Sequence, residues 1–223
     1  MARLLLITLL LSAAVSTSVP ARTWYITPDG TGDVPTIQDG IDSAAAGDTV
    51  LLACGVYSWT NQRSGNSYGL IRMKGGITLR SETGQAGCVT IDGEQQGRVL
   101  FCSRIIDASA IEGLTVTGGR NTGGALYCIG APQAITPLRL ADCVFHHNSY
   151  PGGAACVACY YSSPEIVDCV FRENSSEYWS GAIDCSYSSP QITGCTFQGN
   201  QASFGGGAIE CAHESSPVLR NCE

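Results

Sequence analysis

The sequence predicts an all-β fold, a right-handed parallel β-helix solenoid with a short N-terminal capping helix. Three observations predict it. Phe145, Phe171 and Phe197 recur every 26 residues, each followed three positions later by an asparagine, Asn148, Asn174 or Asn200. Cys143, Cys169, Cys195 and Cys222 recur at 26, 26 and 27, and Cys159, Cys185 and Cys211 form a second column at 26. The phrase Ser-Ser-Pro closes on Pro164, Pro190 and Pro217. Several residue types that keep one period mark a solenoid, in which no single repeat buries its apolar face but stacked repeats do.

The chain opens on Arg3 and a short apolar run, Leu4 to Val15, and small residues follow at Val19-Pro20-Ala21. This pattern reads as a signal peptide over residues 1–21, with an uncut N-terminal anchor as the alternative. The run is too short to span a bilayer, and no transmembrane segment is expected in the mature part. The protein is therefore expected to be secreted, or held at a cell surface or outer membrane.

Residues 22–75 read as the N-terminal cap and first coil. Pro35 precedes Thr36 to Ala46, Ile37 and Ile41 stand four apart, and Gly47 follows, so a short helix is expected over an otherwise open end of the solenoid. Thr49 to Leu52 follows as a strand, and Asn61 to Ser67 reads as an exposed polar loop.

Residues 76–223 read as β-helix repeats. Within one unit, Cys169 and Phe171 keep the two-residue alternation of a strand, but Ile166 to Cys169 is three, so one extra residue bends the chain. The residue before each cysteine is Asp142, Asp168, Gly194 or Asn221, types that tolerate a left-handed backbone. An earlier unit repeats the frame with Ile111, Gly113, Leu114 and Val116. The phrase Gly-Gly-Ala-aliphatic, at Gly123 to Leu126 and Gly206 to Ile209, reads as a turn entering the third strand; Ser180 to Ile183 and Gly152 to Ala155 are looser copies. An α-solenoid is excluded because no helical periodicity follows the first helix. The chain stops at Glu223, one residue past Cys222 and with no cap, so a longer parent protein is expected.

The run from Pro35 to Tyr57 resembles the opening of pectin lyase-like β-helix proteins. The phrases Gly-Gly-Ala-Ile and Phe-x-x-Asn resemble the repeat of polymorphic outer membrane proteins. That resemblance implies a secreted, surface-displayed β-helix used mainly in adhesion.

Net charge −7 and the lack of a basic cluster argue against nucleic acid. The 12 cysteines of an exported chain admit two states in their columns, a buried free-thiol ladder or disulfides. Cys156-x-x-Cys159 has no second pair to complete a metal site. The asparagines read as a structural ladder in a turn, with a polar binding ribbon as the alternative. Asp184 and Glu210 each precede a cysteine of the third strand and should point outward one rung apart, with Tyr127 at the matching place and Tyr160, Tyr161, Tyr178, Trp179 and Tyr187 nearby. Such a pair suits a calcium ion, or acid/base work on a sugar, and otherwise reads as a solvated acidic face. No cofactor is required. Pectate lyases of this fold use a calcium-binding aspartate cluster with an arginine base, and polygalacturonases use Gly-His-Gly and Arg-Ile-Lys phrases; none of these phrases occurs. His146, His147 and His213 sit in or beside turns without a partner pattern. The expected role is a structural or adhesive one with cell-surface or polysaccharide ligands and no evident catalysis. The alternative is a carbohydrate-active enzyme, a polysaccharide lyase or hydrolase, or a carbohydrate-binding module.

Overall fold

The computed structural model describes residues 20–63, 67–131, 137–154 and 156–223. Residues 1–19 of the signal-peptide reading lie outside it, as do 64–66 of the predicted loop. The chain is a parallel β-solenoid. Its strands stack into an eight-stranded sheet, two six-stranded sheets and a three-stranded sheet, and the named strands pair in parallel throughout. The period makes this so: each strand lies on its counterpart one rung away, and the ladder satisfies the backbone between rungs.

One rung shows the construction. Strand Glu165–Val167 belongs to the first sheet, Val170–Arg172 to the second and Ile183–Ser186 to the third. Between the first two, Asp168 stands at φ 51°, and Asp142, Gly194 and Asn221 take the same left-handed corner at 53°, 67° and 52°. A second corner follows the second sheet, at His147, Glu173 and Gly199. After it come two-residue strands, Ser149–Tyr150, Ser175–Ser176 and Gln201–Ala202, which form the three-stranded sheet. This is an addition to the three-strand coil that the sequence predicts, made of small and polar residues without a hydrophobic alternation. At Gly181 an added Cβ would lie 2.5 Å from the Gly207 carbonyl oxygen, so the turn into the third sheet has no room for a side chain there.

The core is a set of columns along the axis. The rings of Phe145, Phe171 and Phe197 stack at 5.1 Å per step, and the first two are fully buried. Asn148 and Asn174, equally buried, bridge rungs through their amides. The corner thiols of Cys143, Cys169, Cys195 and Cys222 donate to main-chain carbonyls, such as Ala141 and Val167. Cys159, Cys185 and Cys211 face inward in one register column, and Cys102 and Cys128 extend it to five. The period hides the last two. The segment between Ile129 and Arg139 is five residues longer than its counterpart between Tyr160 and Glu165, so Cys128 to Cys159 spans 31 residues.

At the N-terminal end, helix Ile37–Ser43 starts on Thr36, whose side chain accepts from the Asp39 amide at 3.1 Å. Ile37 and Ile41 are buried, and the helix lies against strands Thr23–Ile26, Thr49–Leu52 and Ile71–Met73. Gln38 accepts from the Arg72 amide at 2.7 Å and donates to its carbonyl at 3.3 Å. That side chain occupies both hydrogen-bonding groups of Arg72 in the end strand of its sheet, where a further strand would otherwise add. The expectation of an exposed loop from Asn61 needs correction: Trp59–Gln62 is a short helix capped by Ser58, and Gln62 is buried with its Oε1 accepting from the Ile37 amide at 2.9 Å. Polar composition concealed the capping box that Ser58 makes with Asn61.

The cysteines hold both states. Cys54 and Cys88 are joined in a disulfide, and ten others among the described residues are free.

Candidate binding face

The outward column of the third sheet runs Arg72, Phe101, Tyr127, Ala158, Asp184 and Glu210, one residue per rung. Alternation places these side chains outside because Cys102, Cys128, Cys159, Cys185 and Cys211, one residue further on, face the core. Asp184 and Glu210 therefore stand directly side by side on adjacent strands.

The two halves of this column differ. In the first half, the Arg98 guanidinium lies 4.5 Å from the Tyr127 ring centre and 5.5 Å from that of Phe101, and Phe101 stacks on Tyr68 at 5.2 Å. Arg98 is fixed by donating to the carbonyls of Thr122 and Tyr68, both at 2.9 Å. That half is filled by its own packing. In the second half, Ala158 is small and buried, and the carboxylates of Asp184 and Glu210 follow it.

Aromatic residues flank the second half in sequence, before and after its strands. Beyond each strand, Tyr161, Tyr187 and His213 take left-handed corners at φ 49°, 50° and 51°. Their rings pile along the axis, Tyr161 on Tyr187 at 4.5 Å and Tyr187 on His213 at 4.9 Å, so faces are covered and edges look outward. Ahead of the strands, the rings of Tyr178, Trp179 and Phe204 are 45%, 54% and 78% exposed. They meet at tilts of 37° and 48° with centres 5.8 and 6.4 Å apart, which leaves ring faces open.

The two carboxylates are held differently. Glu210 Oε2 accepts from the Gly206 amide at 3.0 Å, and the turn through Gly205 passes between Glu210 and the Trp179 carbonyl. Asp184 accepts no hydrogen bond among the described residues. Burial, and then the neighbouring charge of Glu210, push its carboxyl up to about 6, partly offset by His213. His213 Nδ1 lies 3.2 Å from Ser186 Oγ. Elsewhere, His146 and His147 touch each other through Nδ1, and His147 Nε2 lies 3.1 Å from Glu173.

Among the described residues, one set of three ligating side chains is close enough to share an ion: Cys54, Glu82 and Cys88. Its two cysteines are joined to each other. Asp184 and Glu210 bring two carboxylates from adjacent rungs, a minority of the six to eight oxygens that calcium takes. No helix is long and apolar enough to cross a membrane among the described residues.

The family model of the Chlamydia polymorphic membrane protein repeat matches residues 194–212, the stretch that carries Cys195, Phe197, Asn200 and the Gly-Gly-Ala-Ile turn. No curated protein matches the chain. Among solved structures, that of pectate lyase Pel9A is similar at a TM-score of 0.55 and 16% identity, over 82% of this chain and 49% of the other. A mannuronic acid specific polysaccharide family 6 lyase from human gut microbiota aligns at a TM-score of 0.40 and 13% identity, over 90% of this chain and 54% of the other. The chain thus spans about half the length of each. The likeness to Pel9A agrees with the strand topology: the chain is a right-handed parallel β-helix, pectin lyase-like in fold, with a repeat like that of the polymorphic membrane proteins.

Proposed function

We propose that this chain is part of a surface-displayed β-helix that binds carbohydrate without turning it over, on the face around Trp179, Phe204, Asp184 and Glu210. The observation that carries the reading is the exposure of Tyr178, Trp179 and Phe204 in the turns that lead into the strands bearing two outward carboxylates. Aromatic faces pack against the C–H faces of sugars, and carboxylates accept from hydroxyls. The remaining recurrent residues, Phe, Asn and Cys, are occupied inside the coil. Export and surface display are supported by the apolar N-terminus and by the likeness of residues 194–212 to a membrane-protein repeat. A polysaccharide ligand is compatible with the likeness in fold to a pectate lyase.

A second reading has one observation in its favour. A carboxyl raised to about 6 that stands side by side with a second carboxyl is the pattern of an acid/base pair. Retention on immobilised neutral and acidic polysaccharides tests the first reading, with Trp179→Ala and Phe204→Ala expected to weaken it about tenfold or more. Absorbance of unsaturated products, or release of reducing ends, would transfer the assignment to an enzyme. Under that outcome Asp184→Asn with Glu210→Gln should abolish turnover. Calcium titration of the same double variant tests whether the pair holds an ion.

A further inference from the structure

The column of inward thiols supports an inference that the binding face does not use. Cys102, Cys128, Cys159, Cys185 and Cys211 are register partners on successive parallel strands. Register partners on neighbouring strands lie about 4.8 Å apart, inside the Cα range of disulfides. Cys54 and Cys88 show that this fold accepts such a bridge. They precede register partners Gly55 and Val89 on adjacent rungs, and their Cα atoms are 4.7 Å apart. The sheet thiols are close enough to influence one another: Cys102 raises the Cys128 thiol, and Cys159 and Cys211 raise that of Cys185. The corner thiols differ in that they donate to main-chain carbonyls.

We infer that the Cys102–Cys128–Cys159–Cys185–Cys211 column is a site of oxidative cross-linking, in which neighbouring rungs become joined by disulfides when the chain folds in the presence of a low-molecular-weight disulfide. Each step is an exchange. Two cysteine thiols lose two protons and two electrons and form one S–S bond; one molecule of oxidised glutathione takes them up and leaves as two glutathione thiols. A thiol bonds only one neighbour, so five members give at most two bridges and one thiol left over. Four of its members resist oxidation once folded, whereas Cys211 on the last rung is exposed. Cys102, Cys128, Cys159 and Cys185 are buried to within 1% of full enclosure. Hydrogen bonding to Cys102 and burial raise the Cys128 thiol, which disfavours the thiolate that exchange requires. The compartment in which the chain folds, rather than the one in which it later resides, therefore decides whether its rungs are stapled.

The test is to refold the fully reduced 223-residue chain in a glutathione redox buffer or in dithiothreitol, alkylate after denaturation, and map the peptides. The redox buffer should yield Cys54–Cys88 together with bridges between column neighbours, such as Cys102–Cys128 and Cys159–Cys185. The same buffer added after folding in dithiothreitol should leave Cys102, Cys128 and Cys159 alkylatable. Cys128→Val should leave Cys102 unbridged while Cys159–Cys185 persists. Formation of Cys54–Cys88 with every column thiol still alkylated would overturn the inference, as would bridges between members that are not neighbours.

Discussion

The Asn148 side-chain amide donates to Asn174 Oδ1 at 3.0 Å, and the same oxygen accepts from the Asn148 backbone amide at 3.1 Å. Asn174 repeats both bonds on Asn200 at 2.9 and 3.1 Å, and donates to the Phe145 carbonyl at 3.0 Å. One buried side chain thus ties its own rung to the rungs on both sides. This explains why asparagine recurs there: a carboxylate has no amide hydrogens to give, and glutamine is a methylene too long.

Asn174→Ala is expected to strand a backbone amide and a carbonyl in the core, at about 1–3 kcal/mol for each unsatisfied group. The urea midpoint should fall accordingly. Arg172→Ala in the preceding strand faces outward and should stay within about 0.5 kcal/mol. Equal losses from the two would mean that the ladder contributes nothing particular.

The buried phenylalanine column gives a packing prediction. Phe171 lies between Phe145 and Phe197 at 5.1 Å on each side and is fully enclosed. Phe171→Ala should cost about 3–5 kcal/mol, and Phe171→Leu distinctly less because most of the volume is retained. Denaturant unfolding measures both. A smaller loss from alanine than from leucine would contradict a close-packed column.

Much of this architecture was legible because it repeats. A left-handed corner every 26 residues demands Asp, Asn or Gly, so Asp142, Asp168, Gly194 and Asn221 announce it without any structure. What does not repeat was hidden. Strand Thr23–Ile26 precedes its register partner Thr49–Leu52 by 26 residues but carries none of the recurring Cys, Phe or Asn, and Cys54 and Cys88 are 34 apart yet lie side by side. The alternation before Cys185 and Cys211 places Asp184 and Glu210 outward, but it is silent on the burial that raises Asp184. The exposed Phe204 was likewise invisible, since the phenylalanines that recur are the buried ones.

The corner makes a backbone prediction. Asp168 at φ 51° holds a conformation that most side chains adopt at about 1–2 kcal/mol and glycine adopts freely. Asp168→Gly should be near neutral, as the glycine at Gly194 one rung on suggests, whereas Asp168→Val should destabilise by about that amount. Thermal unfolding of both variants decides it, and a valine as stable as the glycine would show that the corner carries no such strain.

Asp184 gives the pH dependence. Its carboxyl moves from the ordinary 3.8 to about 6 in the folded chain, by burial first and the Glu210 charge second. The folded state therefore holds this proton more tightly than the unfolded one does. Ionising Asp184 opposes folding: the penalty is absent below 3.8, grows between 3.8 and about 6, and is complete above that. Asp184→Asn removes the ionisation and keeps the shape. The variant's urea midpoint should gain on that of the parent as pH rises through this window, then hold a constant lead. A bound cation would reverse the sign, because it favours the ionised pair; repeating the series with millimolar calcium separates the two cases. If the difference between parent and variant stays flat from pH 3.5 to 7 without calcium, Asp184 is not the perturbed group that its surroundings imply.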